Sequence, residues 1–333
     1  MRCLVTGGLG FIGSHLVDRL LADGHDVRVL DNLATGRVEN LAHHRGDARL
    51  EVRIGDVADH ATAAEACEGV DRVFHLAALA DIVPSVQRPL EYHRANVDGT
   101  ASVLEASRKA GVKKLVYVAS SSCYGLPDTF PTPETAPARP EYPYALTKYI
   151  GEQYVLFWAK VYKLPVVSLR FFNVYGPRAR TTGTYGAVFG VFLAQKLAGR
   201  AYTVVGDGEQ TRDFTYVTDI TAALAAAGDS SVSGEVFNVG SGGTYSINRL
   251  VALLGGPVEH LPKRPGEPDC TLADITKIRS VLGWEPKVSF EEGVRNMLDH
   301  IEHWRSAPVW TPDAIAEATR DWFNFLSTSK GAP

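Results

Sequence analysis

In the stretch YPYALTK, Tyr144 and Lys148 stand four residues apart, the spacing that puts two side chains on one face of a helix. A phenol with a pKa near 10 is a poor base at neutral pH. An ammonium group beside it favours the phenolate and lowers that pKa. The pair reads as a proton shuttle, although taken alone it reads equally well as an exposed helix pair. Tyr142 does not share the role, because Ala145 and Leu146 occupy the positions three and four residues beyond it. Twenty-four residues before Tyr144, the segment ASSSCYG (119–125) follows the apolar run KLVYV and begins a serine cluster with Ser120. Such a cluster at a strand end is either a plain polar turn or the rim of an active site.

A second constellation lies at the N-terminus, where Gly7, Gly10 and Gly13 form G-x-x-G-x-x-G. Glycines there permit a tight turn and let backbone N–H groups approach a pyrophosphate at a helix N-terminus. Glycine turns are common, so the motif gains weight only from its context of strand before and helix after. Asp31 ends the second strand pattern eighteen residues beyond Gly13. An acidic group there binds both hydroxyls of an NAD ribose and repels the extra phosphate of NADP. Arg37, nearby, leaves an opening for NADP, and Asp56 ends the third strand pattern, where an adenine edge would lie.

These groups need a scaffold, and the first half of the chain supplies its pattern. Strand-like runs at 2–7, 27–31, 50–56, 72–78, 114–120 and 166–172 alternate with helical segments such as IGSHLVDRLLADG, LEYHRANVDGTASVLEASRKAG and YALTKYIGEQYVLFWAKVY. Several runs are apolar throughout, as strands buried on both faces are. The alternation predicts a parallel sheet with helices on both sides. Gly24 and Gly111 fall where helices end. The segment 126–143 holds six of the eighteen prolines and is a long loop between the serines and the next helix, a place where function often sits. Beyond residue 173 the pattern loosens into Gly- and Pro-rich segments, which predicts a smaller second lobe. The predicted division is 1–172 for a dinucleotide-binding domain with later segments packing back on it, 173–305 for a substrate lobe and 306–333 for a helical tail. In that tail Ile315, Ala318, Trp322 and Leu326 recur at helical spacing, the pattern of a helix packed on the body or on a partner subunit.

Composition excludes several classes. A net charge of −4 gives no electrostatic case for nucleic acid or an anionic membrane. No run approaches the ~18 apolar residues of a membrane span, and the N-terminus does not read as a signal peptide. The four cysteines Cys3, Cys67, Cys123 and Cys270 are scattered, which argues against a disulfide framework or zinc site and for a reducing cytosol. His300 and His303 share a helical spacing with no third ligand and read as a solvated face rather than a metal site. His75, at a strand end, reads as a satisfied buried side chain.

Taken together, TGGLGFIG, DNLATGRVENL, GDV, HLAA, NVDGT, SSSCYG, YALTK, LRFFNVYGPR, GDGEQTRDF, FNVGSG and RPGE resemble the extended short-chain dehydrogenases/reductases. The resemblance is to the NAD-dependent nucleotide-sugar epimerases and dehydratases in particular, and it runs from residue 1 to about 300. It implies an α/β fold, a Rossmann-type doubly wound parallel sheet with a smaller C-terminal substrate lobe, and NAD as cofactor. It implies Gly7, Gly10, Phe11, Ile12, Gly13, Asp31, Asn32, Asp56, Val57, Leu76, Ala77, Ala78, Asn96, Tyr144 and Lys148 around that cofactor. The family's catalytic Ser/Thr lies four residues before a Tyr-Gly pair, which is Ser120 here. Ser120 would hold the sugar's 4-oxygen and Tyr144 would take its proton, with hydride leaving C4 to give a 4-keto sugar.

The same resemblance bears on the product and the substrate. Family 4,6-dehydratases carry Asp-Glu immediately after the catalytic residue, and uronate decarboxylases carry a glutamate two places after it. Ser121 and Ser122 stand there instead, which leaves hydride return to the other face, a 4-epimerisation of a UDP-hexose or UDP-N-acetylhexosamine. On the substrate the resemblance puts Ser121, Ser122, Asn173, Arg180, Val188, Arg212, Arg264, Glu267 and Thr271, with the arginines on the diphosphate and Glu267 on the ribose. Small Thr271, at a gate position, favours tolerance of an N-acetyl group. Arg180 sits near where uronate 4-epimerases hold a carboxylate, whereas the following TTGTYGAV looks more like the loop of neutral and N-acetylated sugar epimerases. Cys123 reads as structural. A homodimer through helices 90–110 and 144–162, a related dehydratase or reductase, and a silent NAD-sensing protein complete the expectations.

Overall fold

The computed structural model describes residues 1–180 and 187–326. In chain order its strands are β1 (Arg2–Thr6), β2 (Asp26–Asp31), β3 (Leu50–Ile54), β4 (Arg72–His75), β5 (Lys114–Ser120), β6 (Val166–Phe171), β7 (Asn173–Tyr175), β8 (Tyr202–Val205), β9 (Thr211–Arg212), β10 (Phe214–Tyr216), β11 (Glu235–Val239), β12 (Tyr245–Ser246) and β13 (Val258–Leu261). The helices are α1 (Phe11–Ala22), α2 (His60–Cys67), α3 (Ile82–Gln87), α4 (Pro89–His93), α5 (Gly99–Lys109), α6 (Pro143–Tyr162), α7 (Val188–Leu197), α8 (Val217–Asp229), α9 (Ile247–Leu254), α10 (Thr276–Leu282), α11 (Phe290–Asp299) and α12 (Pro312–Leu326).

Seven parallel strands form the main sheet in the order β11-β6-β5-β4-β1-β2-β3. β1 pairs with β2 on one side and β4 on the other, so the strand order reverses beside β1 and a crevice opens at the carboxyl ends of these strands. The six strand-like runs of the first half are all in this sheet, most of them a residue or more shorter than the apolar runs suggest. All six residues of β6 are buried, while edge strand β3 leaves Val52 and Ile54 exposed. One face of the sheet packs against α1 and α8 through residues such as Leu16, Val17, Ile220 and Leu224. The other packs against α2, α5 and α6 through Ala66, Leu104 and Val155. The helix expected at 90–111 is α4 and α5 joined by one wide π-turn at Arg94–Asp98, and α1 and α5 end at Gly24 and Gly111 with positive φ.

After β6 the chain builds a separate apolar cluster in which aromatic rings stack: Tyr175 on Phe189 at 4.5 Å and Tyr245 on Phe290 at 4.3 Å between centroids. Three small two-stranded sheets frame it. Partway through this lobe the chain returns to the main sheet as β11, paired in parallel with β6 from Glu235↔Val167 to Val239↔Phe171. That seventh strand has no counterpart among the six runs read from local pattern, because its partner lies far away in sequence. The tail forms α12, which buries Ile315, Thr319 and Trp322 against the body of the same chain.

Candidate active site

A cleft of about 750 Å³ runs along the carboxyl ends of the strands and under the second lobe. Its dinucleotide end begins at the turn after β1. Gly7 has φ +69°, and a Cβ there would lie 2.9 Å from the Ala77 backbone. A Cβ on Gly13 would lie 2.1 Å from the Gly7 carbonyl oxygen. Only glycines allow this turn to lie flat against the start of α1, which has no side-chain cap and no acidic residue in its first turn. That leaves a helix N-terminus open to an anionic diphosphate. Asp31, at the end of β2, accepts the Leu9 N–H at 3.0 Å and the Leu33 N–H at 2.8 Å. Burial pushes its carboxyl up, and these two hydrogen bonds hold it down. Gly10, Phe11, Ile12, Asn32, Asp56, Val57, Leu76, Ala77 and Ala78 line the same end. These residues fit NAD on their own geometry, with a cradle that side chains would fill and a carboxylate aimed into it.

Two dinucleotide-end expectations change. Asn96 does not line the cleft. It sits on the π-turn, where its amide accepts the Leu79 N–H at 2.8 Å and donates to the Leu79 carbonyl at 3.0 Å and to Thr147. It therefore shapes the 76–80 wall from behind. Arg37 has one guanidinium nitrogen 3.0 Å from His303 Nε2, so His303 packs against protein rather than on a solvated face. His75 is buried between two hydroxyls: Thr6 donates to Nδ1 at 2.7 Å, and Nε2–H donates to Thr100 at 3.1 Å, whose own proton goes to the Asn96 carbonyl. Thr6 in turn accepts the N–H groups of Leu76 and Ala77. A neutral imidazole thus holds the wall that faces the cofactor end.

At the middle of the cleft, Ser120 ends β5 and Tyr144 opens α6. Both side chains line the cleft. Ser120 Oγ lies 2.8 Å from Ser122 Oγ and accepts the Ser122 N–H at 3.2 Å. Tyr142, whose sequence position offers no lysine, nonetheless stacks its ring on Tyr144 at 6.4 Å and lines the cleft. Lys148 does not itself line the cleft; it is 4% exposed, with Nζ 4.4 Å from the Tyr117 ring centroid. Desolvation lowers its pKa to about 7, opposed by the Glu152 charge. The sequence suggests a Tyr144 phenol acidified by Lys148. In the folded chain burial pushes that phenol up, and the Ser120 hydroxyl, not Lys148, is what opposes it. Cys123 is buried and its thiol is pushed up to about 12 by desolvation, which removes it as a nucleophile.

Sequence reading missed the network beneath these groups. Glu152, one turn after Lys148, pairs with Arg170 on β6 and accepts from Ser168. Arg170 continues to the Tyr124 hydroxyl at 2.8 Å, and Tyr124 donates to Asn238 on β11. The spacing of Lys148 and Glu152 was a local signal; the partner on β6 was not.

The far end of the cleft joins the second lobe. Thr271 donates to Asn173 Oδ1 at 2.9 Å and accepts the Asp213 N–H at 3.0 Å. Arg212 holds Glu267 Oε1 at 2.7 Å and the Pro268 carbonyl at 2.8 Å. Arg264 lies 3.8 Å from Glu267 Oε2, an oxygen that is buried without a hydrogen bond, as an acceptor kept for a hydroxyl would be. Arg180 is ion-paired with Asp81, and both line the cleft. Ser121, Ala187 and Val188 line the cleft, while residues 181–186 of TTGTYGAV lie outside the described residues. Trp322 of the tail also lines it. Among the described residues Asp18, His43 and His44 gather three potential metal donors, but Arg178 Nη2 is already 2.7 Å from Asp18.

The model of the NAD dependent epimerase/dehydratase family matches residues 3–240. The chain is 40% identical to UDP-glucose 4-epimerase of Mycolicibacterium smegmatis over 307 residues, 90% of this chain and 98% of the relative. It is similar in structure to UDP-glucose 4-epimerase of Thermotoga maritima with UDP-glucose, at TM-score 0.85 and 38% identity, covering 91% of this chain and 99% of the other. It is also similar to UDP-N-acetylglucosamine 4-epimerase of Methanobrevibacter ruminantium in complex with UDP-N-acetylmuramic acid, at TM-score 0.86 and 36% identity over 90% and 98% of the two chains.

Proposed function

The chain belongs to the NAD dependent epimerase/dehydratase family, and from that premise we propose that it is a nucleotide-sugar 4-epimerase acting on a UDP-hexose or UDP-N-acetylhexosamine through a transient 4-keto sugar. NAD is its cofactor; when bound, it accepts a hydride from C4 and returns it. Ser120 hydrogen-bonds the 4-oxygen, and Tyr144 takes the hydroxyl proton and later returns one. Lys148, whose charge Glu152 supports, is assigned to the nicotinamide ribose. Asn173, Arg212 and Arg264 grip the substrate's sugar-diphosphate part, and Glu267 accepts from the nucleoside ribose.

The observation that carries this reading is the chemistry of the serine turn. Ser120, Ser121 and Ser122 line the cleft next to Tyr144, and hydroxyls at 121 and 122 supply no carboxylate for elimination or decarboxylation. The ketone is left to be reduced again. Arg180 is paired with Asp81, which favours a neutral sugar over a uronate. Asp31 favours NAD over NADPH and weighs against a net reductase.

We further divide the chain into a dinucleotide domain at 1–172, a substrate lobe at 173–305 and a tail at 306–333. We propose a homodimer through α4, α5 and α6, where Leu90, Leu146, Phe157 and Val161 are exposed apolar side chains. Among the described residues no helix is long and apolar enough to cross a membrane, and the four cysteines are free, in keeping with a cytoplasmic enzyme.

The test is incubation of the purified protein, without added NAD, with UDP-, GDP-, CDP- and dTDP-sugars, followed by NMR. Interconversion of 4-epimers is expected. A 4-keto-6-deoxy product, or no turnover on any sugar, overturns the reading.

A further inference from the structure

The tail helix α12 lies outside residues 3–240, yet it reaches the cleft. Its anchor on the dinucleotide side is Asp321, which accepts from Gln87 of α3 at 2.7 Å. One residue on, Trp322 is 7% exposed and faces three elements of the site. Its indole Nε1–H donates to the Pro265 carbonyl at 2.7 Å. The Arg264 guanidinium lies 5.7 Å from its ring, and the Tyr142 ring lies 6.4 Å away.

The segment 262–268 between β13 and α10 has no strand or helix of its own, and it carries both Arg264 and Glu267. An irregular segment keeps its side chains in place only if its backbone is tied down. Two ties are present. Arg212 holds the Pro268 carbonyl at one end, and Trp322 holds the Pro265 carbonyl at the other. An arginine against an aromatic face in a desolvated setting is also restricted in direction.

We propose that Trp322 is a positioning residue for the nucleotide-sugar: by holding Pro265 and flanking Arg264, it sets the grip of the 264–267 segment on the diphosphate and ribose. The tail helix is then part of the substrate site and not only a cap. The inference rests on the 4-epimerase reading above.

The experiment compares wild type with Trp322→Ala, Trp322→Phe and, as a control on the exposed side of α12, Glu317→Ala. Bound NAD and melting temperature report folding, calorimetry with UDP reports the grip without a sugar, and steady-state 4-epimerisation separates KM from kcat. Trp322→Ala is expected to weaken UDP binding and raise KM about tenfold with a much smaller change in kcat. Trp322→Phe keeps a ring but loses the donor and is expected to give a roughly threefold effect in the same direction. Glu317→Ala matches wild type. Unaltered UDP affinity and KM in folded variants, or a fall in kcat alone, overturns the inference while the functional reading stands. If Trp322→Ala does not fold, Trp322→Phe decides in the same way. A wild-type protein that neither binds UDP nor interconverts 4-epimers overturns both.

Discussion

Arg170 Nη2 lies 2.5 Å from Glu152 Oε1 in a buried ion pair one helical turn beyond Lys148. The pair sits beneath the proposed proton shuttle, and Glu152 is the charge that holds up the pKa of Lys148 against desolvation. Glu152→Gln removes that support. The lysine then loses its proton at lower pH, so the alkaline limb of the activity profile moves to lower pH. Arg170→Ala leaves a buried carboxylate uncompensated and is expected to cost about 3–5 kcal/mol of stability, read by urea unfolding. An unmoved alkaline limb in Glu152→Gln would separate Glu152 from the lysine.

Tyr144→Phe removes the group proposed to exchange the proton but leaves the glycine cradle and Asp31 intact. Turnover is expected to fall by about two to four orders of magnitude while NAD stays bound. Full activity in that variant would show that the base is another residue.

His75 gives a stability signature. Burial lowers its pKa from the ordinary 6.5 to about 3, so the folded chain keeps it neutral where the unfolded chain binds a proton. Its contribution is fully present above the unfolded value and is lost as pH falls from 6.5 toward 3. His15, lowered to about 4 by burial, adds in the same direction. The expected slope is about 1.4 kcal/mol per pH unit per histidine within that window, before other groups intervene. Chemical unfolding at a series of pH values checks it, and a His75→Gln variant with an unchanged slope would remove His75 from the account.

Leu146 and Phe157 are 45% and 52% exposed on α6, eleven residues apart and so on one side of the helix. A double change to glutamate is expected to give a monomer in sedimentation velocity without loss of helix content, since neither side chain is in the core. A wild-type protein that sediments as a monomer would refute the proposed dimer directly.

Much of the catalytic end was legible because its signals are local. Tyr144 and Lys148 share a helix face through spacing alone, and Gly7 and Gly13 mark a turn that a Cβ would fill. The Glu152 link to Arg170 was not legible, since it pairs α6 with β6 across a sheet. Nor was the direction of the Tyr144 shift, because that depends on how much protein closes over the phenol, a quantity absent from the helix spacing. Asn96 shows the same limit. The motif marks it, but only the π-turn reveals that its amide is spent on Leu79.

By itself, then, the sequence determined what short-range physics can write: the alternation that makes a doubly wound sheet, the glycines of the turn, the proton-shuttle spacing and the lack of carboxylates at 121 and 122. Tertiary structure alone decided which distant segments meet. It brought β11 to β6, set Arg170 against Glu152, and laid Trp322 of the last helix against Arg264 and Pro265. Those contacts arise because burial and hydrogen-bond satisfaction are met by the whole chain at once, and no local pattern records which partner will meet them.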